Sequence, residues 1–246
     1  MLLVDGRAVD CTIDARLRVK ADADVRTQVA AMLRLDEDLQ PFYTLADADP
    51  KLAYARRRGA GRLLRAPTVF EDVIKMLLTT NCSWALTRIM VTRLVEKLGQ
   101  PAPSGARAFP TPAAMARKDE RFYRDVIKAG YRAPHLVHIA RAQARGTLDL
   151  ERLRDEPDAE ALHDALLALP GIGPYAADNL LRLLGGYGYL GLDSWCRARL
   201  KKLYPRTRDP DALARRLYRP YGRWQGLAMW LDLTRHWHES PDNPLP

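Results

Sequence analysis

The stretch Leu169-Pro170-Gly171-Ile172-Gly173-Pro174-Tyr175-Ala176-Ala177-Asp178 constrains this chain more than any other. Two glycines with one apolar residue between them join two patterns of helical period. Glycine lets a backbone turn through conformations closed to other residues, and proline suits the first turn of a following helix. The string therefore predicts a tight hairpin of helices, with Ala176 and Ala177 small enough to let them approach. The first N–H groups of the second helix then have no intrahelical acceptor. Together with the positive end of the helix dipole they suit a phosphate, which makes Gly171, Ile172 and Gly173 candidate nucleic-acid contacts. A structural helix corner uses the same residues, because glycine stops helices and proline begins them.

Charge favours the phosphate. The chain carries 39 Lys and Arg against 30 Asp and Glu, a net +9, which suits a polyanionic partner such as DNA or RNA. Asp193 follows Gly173 by twenty residues, in Gly191-Leu192-Asp193-Ser194-Trp195, and precedes a further helical pattern. Aspartate there is a preferred helix N-cap. It also places a carboxylate near a strand held by the hairpin. The two roles can coexist, since N–H donors favour the charged carboxylate.

The 246 residues permit one large or two modest domains, and 47% hydrophobic content is ample for a core. Alternation over 9–19 predicts a half-buried strand, with 2–4 as its hairpin partner turned by Asp5-Gly6. Two strands alone are marginal, so a helix within 24–35 is expected to cover them. From residue 68 onward the pattern is helical, over 68–81, 83–98, 111–118, 121–129, 133–145, 158–169, 174–185, 194–204, 210–218 and 223–238. Residues 100–112 contain four prolines and predict a loop. Residues 185–189 predict a flexible bridge to Asp193. We therefore divide the chain into a short strand–helix region, 1–50, and a helical body, 51–246, with the hairpin at about 158–185. The basic run Arg56-Arg57-Arg58 reads as a solvated face, with a phosphate-contacting edge as the alternative.

Three cysteines, far apart and odd in number, suggest no disulfide framework and cannot hold a four-cysteine iron–sulfur cluster. No zinc spacing is present, and no metal site is expected. Asp5, Arg7 and Asp10 break the apolar start, so no signal peptide is read, and no apolar run is long enough to span a membrane. These features predict a soluble cytoplasmic protein, nucleoid-associated in a prokaryote, with no membrane partner.

The hairpin string and the following aspartate resemble the helix-hairpin-helix, Gly/Pro-rich loop, aspartate (HhH-GPD) superfamily of DNA glycosylases, over about 67–237. The resemblance implies a mainly α, two-lobed fold with a small, shortened N-terminal α+β element of antiparallel strands. It implies base excision repair by a monomer acting on double-stranded DNA that contains a damaged base. Asp193 falls at the catalytic carboxylate, near C1′ of the flipped nucleotide, where it would stabilise an oxocarbenium-like transition state and orient water. In lyase members the residue two after the second hairpin glycine is a lysine that forms a Schiff base. Here it is Tyr175, so the resemblance implies a monofunctional glycosylase. Lys128 and Lys201 are other lysines that could serve a lyase. A monovalent cation bound by the hairpin backbone is the one cofactor the family leaves open.

Further stretches resemble the 8-oxoguanine branch. In Thr79-Thr80-Asn81-Cys82-Ser83-Trp84, Asn81 falls where an asparagine enters the vacated stack. In Gly130-Tyr131-Arg132-Ala133, Tyr131 falls at a wedge and Arg132 at an arginine that bonds the estranged base. Helix capping for Asn81 and core packing for Tyr131 are the structural alternatives. The other arginine that reads the opposite cytosine is replaced by Leu86, so strict pairing with cytosine is not expected. The glutamine that reads oxidised guanine falls near Gly226, with Gln225 adjacent. The base pocket is expected from Tyr175, Asn179, Trp195 and Trp230. An electron-rich pocket suits a cationic base through cation–π attraction, which tilts the expected substrate to an alkylated purine such as 3-methyladenine over 8-oxoguanine. A non-catalytic hairpin module that only binds DNA is the remaining alternative.

Overall fold

The computed structural model describes residues 1–14 and 18–239. Strand β1 (Leu2–Val4) pairs antiparallel with β2 (Arg7–Val9), Leu2 opposite Val9. The connecting Asp5 and Gly6 both have positive φ, 48° and 75°, as a two-residue hairpin turn requires. The single strand expected over 9–19 is broken. Instead β3 (Cys11–Ile13) pairs with β4 (Val19–Ala21). Asp14 accounts for the break: its N–H donates to the Arg18 carbonyl at 3.2 Å, and its Oδ1 accepts the Arg18 N–H at 3.0 Å. An aspartate that closes its own turn competes with continued alternation. Ala15, Arg16 and Leu17, assigned to the same strand, lie outside the described residues. Helix α1 (Arg26–Leu33) covers the strands as expected, burying Val29, with Val25 before it, against Leu2, Val4, Cys11 and Val19.

The helical body has two apolar cores. The first is built by α4 (Val69–Thr79), α5 (Trp84–Leu98), α6 (Pro112–Ala116), α7 (Glu120–Phe122), α8 (Ala133–Ala144), α9 (Ala159–Leu167) and α10 (Pro174–Leu183). Its centre is Ile74, Leu77, Met90, Leu136, Ile139, Leu166 and Leu180. The second is built by α2 (Gln40–Asp47), α3 (Tyr54–Arg58), α11 (Ser194–Leu203), α12 (Pro210–Tyr218) and α13 (Gln225–Glu239). The expected helices from residue 68 onward are present with ends shifted by a few residues, except that over 121–129 the α-helix stops at Phe122 and the chain continues as a π-helical turn, Tyr123–Ile127. Helices α2 and α3 were not expected. They carry Phe42, Tyr43, Ala46 and Tyr54 into the core of the C-terminal helices, where Phe42 lies 5.7 Å from Trp224. Burial at that core, and not strong local periodicity, defines them.

Local chemistry fixes the helix ends. Thr68 caps α4 by accepting the Glu71 N–H at 3.2 Å, and Ser83 caps α5 by accepting the Leu86 N–H at 3.3 Å. The far end of α10 is capped from α1: Arg34 Nη1 donates to the carbonyls of Arg182 and Leu183 at 3.1 and 2.8 Å, while Nη2 pairs with Glu37 at 2.7 Å. The expected flexible bridge over 185–189 is instead pinned. Tyr187 is buried, stacks on Trp224 at 5.2 Å and donates its hydroxyl to Glu37 at 2.5 Å. Gly226 brings α13 close enough for its N–H to reach the Tyr187 carbonyl at 2.7 Å. Among the described residues no helix is long and apolar enough to cross a membrane.

Asp72 on α4 is 6% exposed. Its Oδ1 accepts the Ala66 N–H at 2.9 Å, and its buried Oδ2 has no partner among the described residues. Burial pushes its pKa from the usual carboxylate range up to about 6. The folded state therefore holds the proton more tightly than the unfolded chain, and the associated stability is lost as pH rises through about 6. Asp72→Asn keeps the acceptor without the charge. Chemical denaturation at pH 5 and pH 8 should show wild type losing stability relative to Asp72→Asn by about 1 kcal/mol. Parallel curves would exclude this origin.

Candidate nucleic-acid interface and active site

The hairpin forms where the sequence places it. Asp158 caps α9 through the N–H groups of Glu160 and Ala161, at 2.8 and 3.2 Å. The chain turns through Gly171 at φ 80°, and Gly173 begins α10 with Pro174 in its first turn. Gly171 is required twice over, because a Cβ there would lie 2.7 Å from the His135 ring and 2.9 Å from Leu77. Ile172 is the buried plug of the turn. Gly173 faces open space, and its carbonyl accepts the Ala177 N–H at 2.9 Å. Among the described residues the N–H groups of Gly171, Gly173, Tyr175 and Ala176 meet no protein acceptor, so the anion site is not taken up by the protein itself.

The aspartate loop is stapled to the same helix. Asp178 Oδ2 accepts the Gly191 N–H at 3.0 Å, and its Oδ1 meets His163 Nε2 of α9 at 2.9 Å. His163 in turn stacks on Tyr189 at 4.1 Å. Arg182, one α-helical turn further on, donates from Nη2 to the Leu190 carbonyl at 2.5 Å. Gly191 has φ 60°, and a Cβ there would meet Arg182 Nη2 at 2.8 Å. Two residues later Asp193 caps α11, its Oδ1 accepting the Cys196 N–H at 2.6 Å. The carboxylate is half-buried and sits close enough to Tyr175 and Arg182 to act on their charges. Burial, and then Asp193, raise the Tyr175 phenol above its ordinary value, so it stays protonated at neutral pH. Burial pushes the Cys196 thiol up to about 12, Asp193 adding to the shift, so it is no nucleophile.

The two loops expected to face DNA meet each other. Asn81, at φ 46° between α4 and α5, donates from Nδ2 to the Tyr131 hydroxyl at 3.1 Å. Tyr131 is 54% exposed. Leu77, three residues before Thr80, also touches the hairpin at Gly171, so this tip and the hairpin share one region. Arg132 is placed differently from a base-reading arginine. It is 4% exposed, with its guanidinium on the Thr80 and Ala129 carbonyls and stacked 4.5 Å from the Tyr131 ring centroid. It braces the two loops.

The expected pocket residues are only partly gathered. Asn179 donates from Nδ2 to the Tyr175 carbonyl at 2.8 Å. Trp195 and Trp230 lie 6.1 Å apart, and Trp237, which the sequence reading missed, closes a trio at 5.6 and 5.8 Å from them. Its seven-residue spacing from Trp230 on one helix was the readable signal. A cleft of about 790 Å³ beside α10 is lined by Tyr175, Asp178, Leu192, Arg197, Arg215 and Gln225, while Asn179, Asp193, Trp195 and Trp230 are not on its wall. Gln225 bonds the Gly188 carbonyl, and a Cβ at Gly226 would strike the Tyr189 carbonyl at 2.0 Å, so a base-reading side chain has no room at 226. Arg182 was also missed. Its carbon Cζ lies 5.9 Å from the Trp230 ring centroid, which places a cation on the aromatic surface.

Comparison with known proteins places the fold. The chain superposes on the 8-oxoguanine glycosylase/lyase of Clostridium acetobutylicum bound to double-stranded DNA, with a TM-score of 0.74, 21% identity, and coverage of 95% of this chain and 83% of that one. It superposes equally on the 3-methyladenine DNA glycosylase of Archaeoglobus fulgidus, TM-score 0.74 and 21% identity, over 97% and 87% of the two chains. This chain has the helix-hairpin-helix DNA glycosylase fold. No family model matches it. By sequence it is 27% identical to a probable N-glycosylase/DNA lyase of Methanothermobacter thermautotrophicus over 242 residues, 83% of this chain and 75% of that protein. It is 29% identical to the DNA-3-methyladenine glycosylase of Bacillus subtilis over 151 residues, 60% of this chain and half of that protein.

Gly171→Ala combines a left-handed φ with a contact to the His135 ring, and should lower the thermal-unfolding stability by about 1–3 kcal/mol. Gly173→Ala, which meets nothing within 4 Å, should cost under about 1 kcal/mol. Equal losses would mean that the turn is not set by Gly171.

Proposed function

We propose that this chain is a monofunctional DNA N-glycosylase of base excision repair. It flips a damaged purine out of double-stranded DNA and hydrolyses the bond between base and deoxyribose. The observation that carries the reading is the stapling of the Asp193 loop to α10, which holds a carboxylate at a fixed place relative to the helix that the hairpin begins. The amides and the helix dipole grip a backbone phosphate. The fixed carboxylate then faces the sugar of the nucleotide next to that phosphate.

In the proposed step the base leaves with the bonding pair of the glycosidic bond, and positive charge develops on C1′ and the ring oxygen. Asp193 stabilises that charge without reorganising, because its loop is fixed before substrate arrives. A water oriented by the carboxylate attacks C1′ and gives its proton to Asp193. The products are the free base and an intact abasic site. Flipping costs a few kcal/mol, and the Asn81–Tyr131 tip is the element that fills the vacated stack. The carbonyls of Gly171 and Ile172 accept no protein donor among the described residues. Neutral carbonyls of this kind would hold a monovalent cation, and through it a phosphate.

The residue at the place of the family's lyase lysine supports the hydrolytic reading. Residue 175 is a phenol, and no lysine lines the cleft it opens on. Lys201 lies in the last turn of α11, the helix that Asp193 begins, and exposed Lys128 lies at the foot of the Tyr131 loop. The name of the archaeal relative includes a lyase activity, which makes the distinction worth measuring. Asp193→Asn should lower base release by at least about a hundredfold while duplex affinity stays within a few-fold. Unchanged release would remove Asp193 from the chemistry. Borohydride added during turnover should trap no protein–DNA adduct, and a reproducible adduct would assign a lyase lysine instead.

A further inference from the structure

We infer that Arg182 sets base selectivity at this site, excluding cationic N-alkylated purines and favouring a neutral purine that offers a carbonyl acceptor, as an oxidised guanine does. The inference rests on the glycosylase reading and names its substrate class.

Arg182 is 4% exposed, yet its hydrogen bonds go to the Leu190 carbonyl and the Asn179 amide and to no carboxylate. Nη2 donates to the Leu190 carbonyl, and Nη1 reaches Asn179 Oδ1 at 3.5 Å. Its buried Nε–H has no acceptor among the described residues. Buried guanidinium groups are normally paired, and an unsatisfied donor is costly to leave in an interior. A site that lacks its ligand explains both facts. The surroundings identify the ligand's place: Asn179 and Tyr175 lie on the same face of α10 at helical spacing, Trp230 lies against the guanidinium, and Asp193 is within electrostatic reach.

The consequence for selectivity is one of sign. Tyr175, Trp195 and Trp230 alone would form an electron-rich wall that attracts a cationic base. Arg182 already occupies the Trp230 surface with a permanent charge, since guanidinium stays protonated. A second cation there meets repulsion in a medium where charges are poorly screened. A neutral oxopurine meets none, and its carbonyl oxygen can accept the unsatisfied Nε–H. Gln225 is committed to Gly188 and position 226 has no side chain, so neither supplies that donor.

The test compares matched duplexes carrying 8-oxoguanine or N7-methylguanine, with base release followed at pH 6, where the methylated base is charged. The methylated base has the weaker glycosidic bond, so chemistry alone favours its release. Wild type should nevertheless release 8-oxoguanine at least tenfold faster. Arg182→Met should narrow or invert that ratio by tenfold or more, whereas Arg182→Lys, which keeps a charge, should retain the preference. If Arg182 only braced Leu190, Arg182→Met would slow both substrates together and leave the ratio unchanged, which overturns the inference. Faster release of N7-methylguanine by wild type overturns it without any variant, and so decides the matter should Arg182→Met fail to fold. In either case the glycosylase reading stands. Release of neither base removes both readings.

Discussion

The arrangement depends on one coupling, the attachment of the 188–193 loop to α10. Asp178 takes the Gly191 N–H and Arg182 takes the neighbouring Leu190 carbonyl, so both faces of one peptide region are held by side chains a helical turn apart. The same helix begins at the hairpin. The hairpin proposed to grip a phosphate and the Asp193 carboxylate therefore belong to one rigid piece, with no hinge between them. His163 extends the piece to α9 through Asp178, and the stack on Tyr189 returns to the loop. Catalysis by a fixed carboxylate needs this kind of preorganisation, because a mobile one would lose its advantage over water.

Buried arginines perform the same task at three joints. Arg34 closes the end of α10, Arg132 ties the α4–α5 tip to the loop before α8, and Arg182 ties α10 to the aspartate loop. Each donates to main-chain carbonyls that a helix end or loop would otherwise leave unpaired in the interior. Arg34 also has Glu37 as a counter-charge. Arg132 and Arg182 have no such partner, but Arg182 alone of the three keeps a buried Nε–H without an acceptor among the described residues, which is why it points beyond structure to a ligand.

The two apolar cores meet around these joints. Helices α2 and α3, early in the chain, complete the core of the last three helices, so the second lobe closes only after the whole chain is available. The aspartate loop runs between the lobes, with Tyr187 stacked on Trp224 on one side and Leu180 and Leu181 buried in the first core on the other. Glycine is needed at two places in this region for contact as well as conformation. Gly191 lets the loop approach Arg182, and Gly226 lets α13 approach the loop.

The hairpin, the N-cap at Asp193 and the run of helices after residue 68 were legible because each follows from local rules: glycine at a positive φ, proline at a helix start, an aspartate before a helical period. The Asp5-Gly6 turn was legible for the same reason. The break of the 9–19 strand, the helices α2 and α3, and the pinned 185–189 bridge were not. Each is decided by partners distant in sequence or by a side chain that competes with its own backbone. The chemistry of the site divides in the same way. Residue types alone determined that position 193 offers a carboxylate and position 175 a phenol. Only the tertiary structure decided that Arg132 is spent on carbonyls, that the tryptophans pack into a trio, and that a guanidinium without a carboxylate partner lies on Trp230. Burial and charge compensation are properties of the assembled neighbourhood, and no spacing along the chain encodes them.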